Sequence, residues 1–290
     1  MSVLVVSDPR RLRGNVAFDR LRGRLWWVWL GILAILLLFA AFGPWIAPFD
    51  HTDQNVRAKF LSPWSRSDEG FHVFGTDELG RDVFSKVIAG TRLTIFIAFV
   101  STLIGATVGT VVGMLAGYKG GRTDRVVMRL TEAQTAMPMF LIALLLLSSL
   151  GASVWNLIAI LPTYIWPTFA RLIRAEVLRM RTSPFIEAAV SLGCTTRAIL
   201  GRHLLPNLSG RVGVLIAISV GQVILAEAGL SFIGAGVQTP DVTWGLLISG
   251  GRRYLTVAWW ATVFPGLFVG LAVFALNGIA RRFTDVGRGA

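Results

Sequence analysis

The sequence is short of charge and almost without cysteine and lysine, and it contains no glycine-rich phosphate loop. Each shortage removes a class of function. Cys194 is the only cysteine, so no internal disulfide or cysteine-based zinc cluster can form. His51, His72 and His203 lie far apart in the chain, and no ligand spacing among them supports a metal site. The only lysines are Lys59, Lys86 and Lys119. None follows a glycine-rich turn, and the G-x-x-x-x-G-K-[ST] pattern that cradles a triphosphate is missing. The chain cannot by itself cradle a triphosphate by that route. A membrane-embedded enzyme would need paired ionisable groups at membrane depth, and a secondary transporter would need them near the midplane for ion coupling. Glu132 and Glu227 are the only acidic candidates near the apolar runs, and both stand close to the expected ends.

What is present is apolar. Charged residues make up 15% and hydrophobic residues 54%, with a mean hydropathy of +0.65; soluble domains carry about 25% charge. The charges are clustered, leaving runs long enough for the about 20 residues that cross a hydrocarbon core. About six such runs are expected, at residues 25–49, 93–118, 133–151, 152–170, 212–233 and 257–280. The first has Trp26, Trp27, Trp29 and Trp45 toward its ends, where indole rings suit the headgroup level. It is too long for a signal-peptide core and lacks a small-x-small cleavage site, which favours an uncleaved anchor. The third and fourth runs nearly touch, which calls for a tight helical hairpin. Pro138, Pro162, Pro167 and Pro265 lie in or near these runs and are expected as tolerable kinks.

Charge placement orients the runs. Arg10, Arg11, Arg13, Arg20, Arg22 and Arg24 precede the first. Lys119, Arg122, Arg125 and Arg129 follow the second. Arg171, Arg174, Arg179, Arg181, Arg197, Arg202 and Arg211 lie between the fourth and fifth, and Arg281, Arg282 and Arg288 follow the last. Six spans with both termini cytoplasmic put all four groups inside, as the positive-inside rule requires. Asp50, Asp53, Asp68, Glu69, Asp77, Glu78 and Asp82 then fall outside. The net charge of +12 is thus a topology signal, and binding of nucleic acid, which needs a basic face on a soluble fold, is not expected.

Gly105, Gly109, Gly113 and Gly117 recur every four residues and share one helix face, where another helix can approach closely. That neighbour belongs either to this chain or to a second membrane subunit. The outer segment reads Gly75-Thr76-Asp77-Glu78-Leu79-Gly80-Arg81-Asp82. Its acidic and basic residues supply no activated nucleophile, and the expectation is a short polar helix entering the membrane, capped by Thr76 or Asp77.

The most specific stretch is Glu187-Ala188-Ala189, three residues, Gly193, then His203 and Leu205-Pro206. Ser183 before Pro184 is a good helix start, and Glu187 falls in the first turn, where an anion complements the helix dipole. Gly193 permits a sharp change of direction, after which Thr195 or Thr196 can cap a second short helix running toward Pro206.

This loop resembles the cytoplasmic coupling loop of ABC-importer permeases, and residues 171–207 resemble the peptide-importer branch of that family. The segment Gly75-Thr76-Asp77 with Gly80-Arg81-Asp82 and Ser85 is similar to a signature of the second permease of dipeptide, oligopeptide and nickel importers. Residues 227–245 and 259–286 look like that family's last external loop and final helix. His203 departs from an aliphatic residue common in the wider family, and Arg281 from a usual acidic one. The resemblance implies an all-α integral membrane protein of about six transmembrane helices, with the type I importer permease fold and a coupling helix. It divides the chain into a cytoplasmic tail (1–24), a first transmembrane helix (25–49), an external segment (50–85), a permease core (86–282) and a cytoplasmic tail (283–290).

It further implies an ATP-driven oligopeptide importer subunit in the cell membrane, not itself an enzyme, with dipeptide or nickel import as the nearest alternatives and an ion-coupled transporter as a more distant one. The implied partners are a homologous permease, ABC ATPase subunits that bind ATP and Mg2+, an extracytoplasmic peptide-binding protein and membrane lipid, with no cofactor in this chain. Glu187, Ala188, Ala189, Gly193, His203, Leu205 and Pro206 would carry ATPase coupling. Glu187 would meet a basic residue of the ATPase, with Ala188 and Ala189 allowing close approach.

Overall fold

The computed structural model describes residues 9–286, with side chains for 26–282. Ten helices and one small hairpin follow in the order α1 (Pro9–Ile46), β1 (Ser65–Ser67), β2 (Gly70–His72), α2 (Val83–Lys119), α3 (Gly121–Ala136), α4 (Met139–Leu150), α5 (Val154–Met180), α6 (Pro184–Ser191), α7 (Thr196–Ala198), α8 (Leu205–Phe232), α9 (Trp244–Gly251) and α10 (Trp260–Val286). The expected runs correspond to α1, α2, the α3–α4 pair, α5, α8 and α10. Four of these, at Trp26–Ile46, Val83–Lys119, Thr196–Phe232 and Trp260–Arg282, are alone long and apolar enough to cross a bilayer, and the α3–α4 pair makes a fifth if counted as one span. Helix α5 is long enough at 27 residues, but Asn156, Thr163, Tyr164, Thr168 and Arg171 dilute its apolar character.

Helices α2 and α5 form the central seam. A Cβ on Gly105 would come within 2.9 Å of Ile165 Cβ. One on Gly109 would meet Trp166 O at 2.5 Å, one on Gly113 would meet Ala170 O at 2.6 Å, and one on Gly117 would meet Arg174 O at 2.9 Å. The contact repeats every four residues on both helices and in the same chain direction, so α2 and α5 pack in parallel, backbone against backbone. Glycine leaves room for carbonyls where any side chain would collide. Around this seam a core cluster gathers Val87, Ile97, Leu161, Phe169, Val223 and Trp244 from α2, α5, α8 and α9.

The structure departs from the sequence reading in several places, the first being that Arg122, Arg125 and Arg129, expected in a loop, lie in helix α3. Pro138 breaks its span: Met137 is extended (φ −92°, ψ 132°) and α3 and α4 meet at 83°. A proline disfavours helical backbone at the residue before it, and nothing at this site restores the helix. Pro162, Pro167 and Pro265, by contrast, sit within continuous α5 and α10. Helix α5 also runs ten residues past the end expected at Ala170, so Arg171, Arg174 and Arg179 are helical rather than part of a loop. Finally, residues 76–82 are not a helix. Thr76 and Asp82 pair as an isolated β-bridge, and α2 starts only at Val83, where the Asp82 side chain accepts the Ser85 N–H at 2.8 Å. The α4–α5 hairpin joins as expected through three residues, with Ser153 capping α5 by accepting the Asn156 N–H.

Candidate functional site

Three regions carry polar or motif residues, and they differ in how completely the chain satisfies them. The first is the cap at the N-terminal end of α2. Asp77 is buried and its carboxylate accepts from the Leu79 N–H (2.8 Å), the Arg81 N–H (3.0 Å), Arg81 Nε (2.8 Å) and Lys86 Nζ (2.6 Å). Burial acts to raise this carboxyl, but Lys86 and Arg81 together outweigh it and hold it below the usual carboxylate range. Beside it, His72 Nδ1 lies 2.9 Å from Asp82 Oδ1 and His72 Nε2 lies 2.9 Å from Ser67 Oγ. The order Ser67–His72–Asp82 copies that of a hydrolase relay. It lacks the working parts, because His72 and Asp82 are 2% and 3% exposed and Ser67 Oγ already accepts the Glu69 N–H. The cluster is a strut that ties the β1–β2 hairpin to the start of α2. Trp260 Nε1 donates to Thr76 O and Trp244 Nε1 to Val87 O, fixing α10 and α9 to the same end.

The second region is the motif loop between α5 and α8. Ser183 stands at the start of α6 with extended backbone, but its hydroxyl turns back to donate to Met180 O rather than capping. Glu187 lies in the first turn of α6, exposed, and makes no hydrogen bond or ion pair among the described residues. Gly193 takes φ +77°, where no Cβ is welcome, and its N–H closes the turn on Val190 O at 2.9 Å. Thr195 Oγ1 accepts the Ala198 N–H at 3.3 Å and starts α7. A π-helical turn, Ile199–Leu204, then leads into α8 with Pro206 in its first turn. The loop is anchored from within: Ile186, Ala189, Ile199, Leu204 and Leu208 pack with Met114, Ile173 and Val177 in a separate apolar cluster.

The motif residues therefore divide. Glu187, Ala188, Gly193, Leu205 and Pro206 face outward, and His203 is half-buried with its carbonyl accepting from Asn207 Nδ2. Ala189 is 5% exposed and turned onto the chain's own core, so of the two alanines expected to let a partner approach, only Ala188 is on the open face. The open face also carries Phe185, Val190 and Leu192, the last 84% exposed. Ion pairs brace the surrounding helices: Arg174 holds Asp124 bidentately, linking α5 to α3, and Arg211 pairs with Glu176, linking α8 to α5.

The third region was not singled out from the sequence. A cavity of about 340 Å3 opens at the α3–α4 break and is closed by α5 and α8. Its polar wall includes Gln134, Thr163, Tyr164, Thr168, Arg171 and Gln222. Tyr164, Thr168 and Arg171 follow the i, i+4, i+7 spacing of one helix face. That stripe was legible in α5, but it stood beside arginines that read as loop charge. The other buried acid is Glu227, whose Oε1 accepts from Ser231 (2.7 Å) and Thr243 (2.9 Å), pinning the α8–α9 connection. Among the described residues, no group of three or more metal-ligating side chains comes together.

Residues 109–286 match the family described as binding-protein-dependent transport system inner membrane component, and residues 21–63 match the N-terminal transmembrane domain of oligopeptide transport permease C. The oligopeptide transport system permease protein OppC of Haemophilus influenzae is 33% identical over 254 residues, covering 88% of this chain and 81% of that protein. The dipeptide transport system permease protein DppC of Bacillus subtilis is 35% identical over 249 residues, covering 86% and 76%. An inward-facing structure of the MetNI methionine ABC transporter shares the fold, with a TM-score of 0.54 at 21% identity over 69% of this chain and 97% of that one.

Proposed function

Since this chain belongs to the family of binding-protein-dependent transport system inner membrane components, we propose that it forms half of the pathway by which an ABC importer takes peptides across the cell membrane. It is a permease, a transport subunit rather than an enzyme, and works with a second permease and a separate ATPase. The peptide class follows from the oligopeptide and dipeptide permeases at 33% and 35% identity, and an extracytoplasmic binding protein would deliver the cargo. ATP and Mg2+ would be held by the ATPase.

The observation that carries this reading is the two-sided build of the motif loop. Ile186, Ala189 and Leu204 hold it to the bundle, while Glu187, Val190 and Leu192 are exposed, and Glu187 has no ion pair among the described residues. A helix anchored on one face and apolar on the other suits docking into a groove, with the unpaired Glu187 set to meet a basic residue there. A push on such a helix reaches α5 and α8 directly, because their ends are the loop's own ends. In this reading the motif loop faces the cytoplasm and the β1–β2 cap faces outward, in keeping with the arginine distribution.

The test is assembly and topology together. The chain, co-expressed with its partner permease and ATPase, should co-purify with both and import a labelled short peptide only when ATP is present. In a Cys194→Ser background, cysteines placed at Ser65 and at Thr196 should react with an impermeant thiol reagent from opposite sides of the membrane. Reaction of both from outside intact cells would overturn the orientation.

A further inference from the structure

Arg171, exposed and toward the C-terminal end of α5, lines the cavity at the α3–α4 break without an opposite charge among the described residues. It lies 17 residues into α5, roughly 25 Å from the start of that helix at Val154. Gln222, across the cavity, lies 11 residues past Arg211, roughly 16 Å along α8. Arg174, one turn further on, is neutralised by Asp124, whereas Arg171 makes no hydrogen bond or ion pair among the described residues. Being exposed and free of any carboxylate among the described residues, the Arg171 guanidinium is open to an anionic ligand entering the cavity.

The walls say what kind of ligand. Arg171 is the single charged residue lining the cavity, and no aspartate or glutamate joins it. Gln134, Gln222, Thr168 and Tyr164 add neutral hydrogen-bonding groups, and Ile142, Ile160 and Met139 the apolar remainder. An ammonium group would meet only the like charge of Arg171, while a carboxylate would meet a planar guanidinium able to bind it through two parallel hydrogen bonds. At about 340 Å3 the cavity is at the small end of ligand pockets, enough for the end of a peptide rather than for all of it.

We propose that this cavity is a transient station for a carboxylate of the transported peptide, with Arg171 as its partner. The proposal rests on the peptide-import reading above. The α5 wall is held rigid by the glycine seam, whereas the wall formed by Gln134, Met137 and Met139 straddles the 83° break and moves if α3 and α4 change their angle. A site that couples a fixed cation to a hinged wall can accept a carboxylate and then release it. Conduction needs binding of this weak kind, favourable enough to enter but not to stay.

The experiment uses the complete importer in lipid vesicles, with the binding protein saturated by each of three substrates. These are tetra-alanine with a free C-terminus, its C-terminal amide, and an amidated peptide of the same length carrying one glutamate. The parent complex is expected to import the free acid about tenfold faster than the plain amide, the scale set by a charged hydrogen bond. With Arg171→Gln that ratio should fall to near one, and with Arg171→Lys to an intermediate value. The glutamate-bearing amide shows which carboxylate is used. Uptake like that of the free acid means that any carboxylate serves, while uptake like that of the plain amide means the C-terminus alone.

A ratio taken within one complex cancels differences in assembly, so a purely structural role for Arg171 would lower all three rates alike and overturn the proposal. So would a parent without preference for the acid. If Arg171→Gln does not assemble, Arg171→Lys and Gln222→Leu carry the test, and an unchanged ratio in both overturns it. Failure of the parent to import any peptide would be a different result, overturning the peptide-import reading itself.

Discussion

The two ends of this bundle are finished to different degrees. At the cap end, Asp77 accepts four hydrogen bonds, His72 and Asp82 are enclosed, and two tryptophan N–H groups find backbone carbonyls. At the motif end, Glu187 has no partner among the described residues, and Phe185, Val190 and Leu192 are exposed above a buried base of Ile186 and Ala189. A self-satisfied end contributes to the stability of the chain alone, because removing one buried partner leaves the others stranded. An unsatisfied end contributes little by itself and has its value in a complex. Substitutions at the cap and seam should therefore act on folding, and those on the open face of the motif loop on coupling.

The sharpest way to break that contrast is at the seam. Gly109→Leu combined with Gly113→Leu would drive side chains into Trp166 O and Ala170 O, where even a Cβ stands only 2.5 and 2.6 Å away. Overpacking costs about 1–3 kcal/mol per site where neighbours can give, and backbone carbonyls give least. The double variant is expected to lose the folded monomer in detergent, read by size-exclusion chromatography. A folded monomer that fails only to bind its partner permease would move this face to a subunit contact.

The next effect is at the cap. Asp77→Asn leaves Arg81 and Lys86 beside a neutral amide and should cost about 2–3 kcal/mol. That is less than the about 3–5 for a fully buried pair, since both cations keep some contact with water. Because the Asp77 carboxyl is held below its unfolded value, its stabilisation is complete above about pH 4 and is lost as pH falls through the lower folded value. Thermal unfolding followed across pH should show this acid-side loss in the parent and not in the variant.

Smaller still is Gly193→Val. Nothing lies within 4 Å of a Cβ at Gly193, so the cost is only that of holding a side chain at φ +77°, about 1–2 kcal/mol. The chain should stay folded while peptide-stimulated ATPase activity falls sharply, since the turn into α7 is strained.

The smallest effect on stability is expected from Glu187→Arg, which touches no described partner and should lower the unfolding temperature only slightly, through the reversed charge at the start of α6. Coupling should nevertheless fail, because like charges brought together across an interface cost several kcal/mol. Normal stimulated ATPase activity in this variant would refute the assignment of the open face.

Particular residues show how far the sequence could be read. The four-residue spacing of Gly105 to Gly117 announced a close-packed face, since a helix repeats its surface on that period, but it could not say which helix would fill it. The backbone of α5 does, at Pro162, Trp166, Ala170 and Arg174. The order of Ser183, Glu187, Gly193 and Thr195 was legible as helix, turn and helix because capping and positive φ are local matters. The inward turn of Ala189 was not, because burial depends on where Met114 and Ile173 lie. Pro138 and Pro162 look alike in a sequence, yet one breaks a span and the other sits inside one. Arg171 read as one more positive charge in a loop.

Local chemistry thus determined by itself that this chain is a set of apolar helices, with a glycine face and a structured polar loop between two spans. Those signals come from runs, periods and capping residues only a few positions apart. Tertiary structure decided which helix met the glycines, how Asp77 and His72 were enclosed, where α3 broke from α4, and that Arg171 would line a cavity. Each of these depends on groups brought together from distant parts of the chain, and burial and ion pairing have no meaning until those parts have packed.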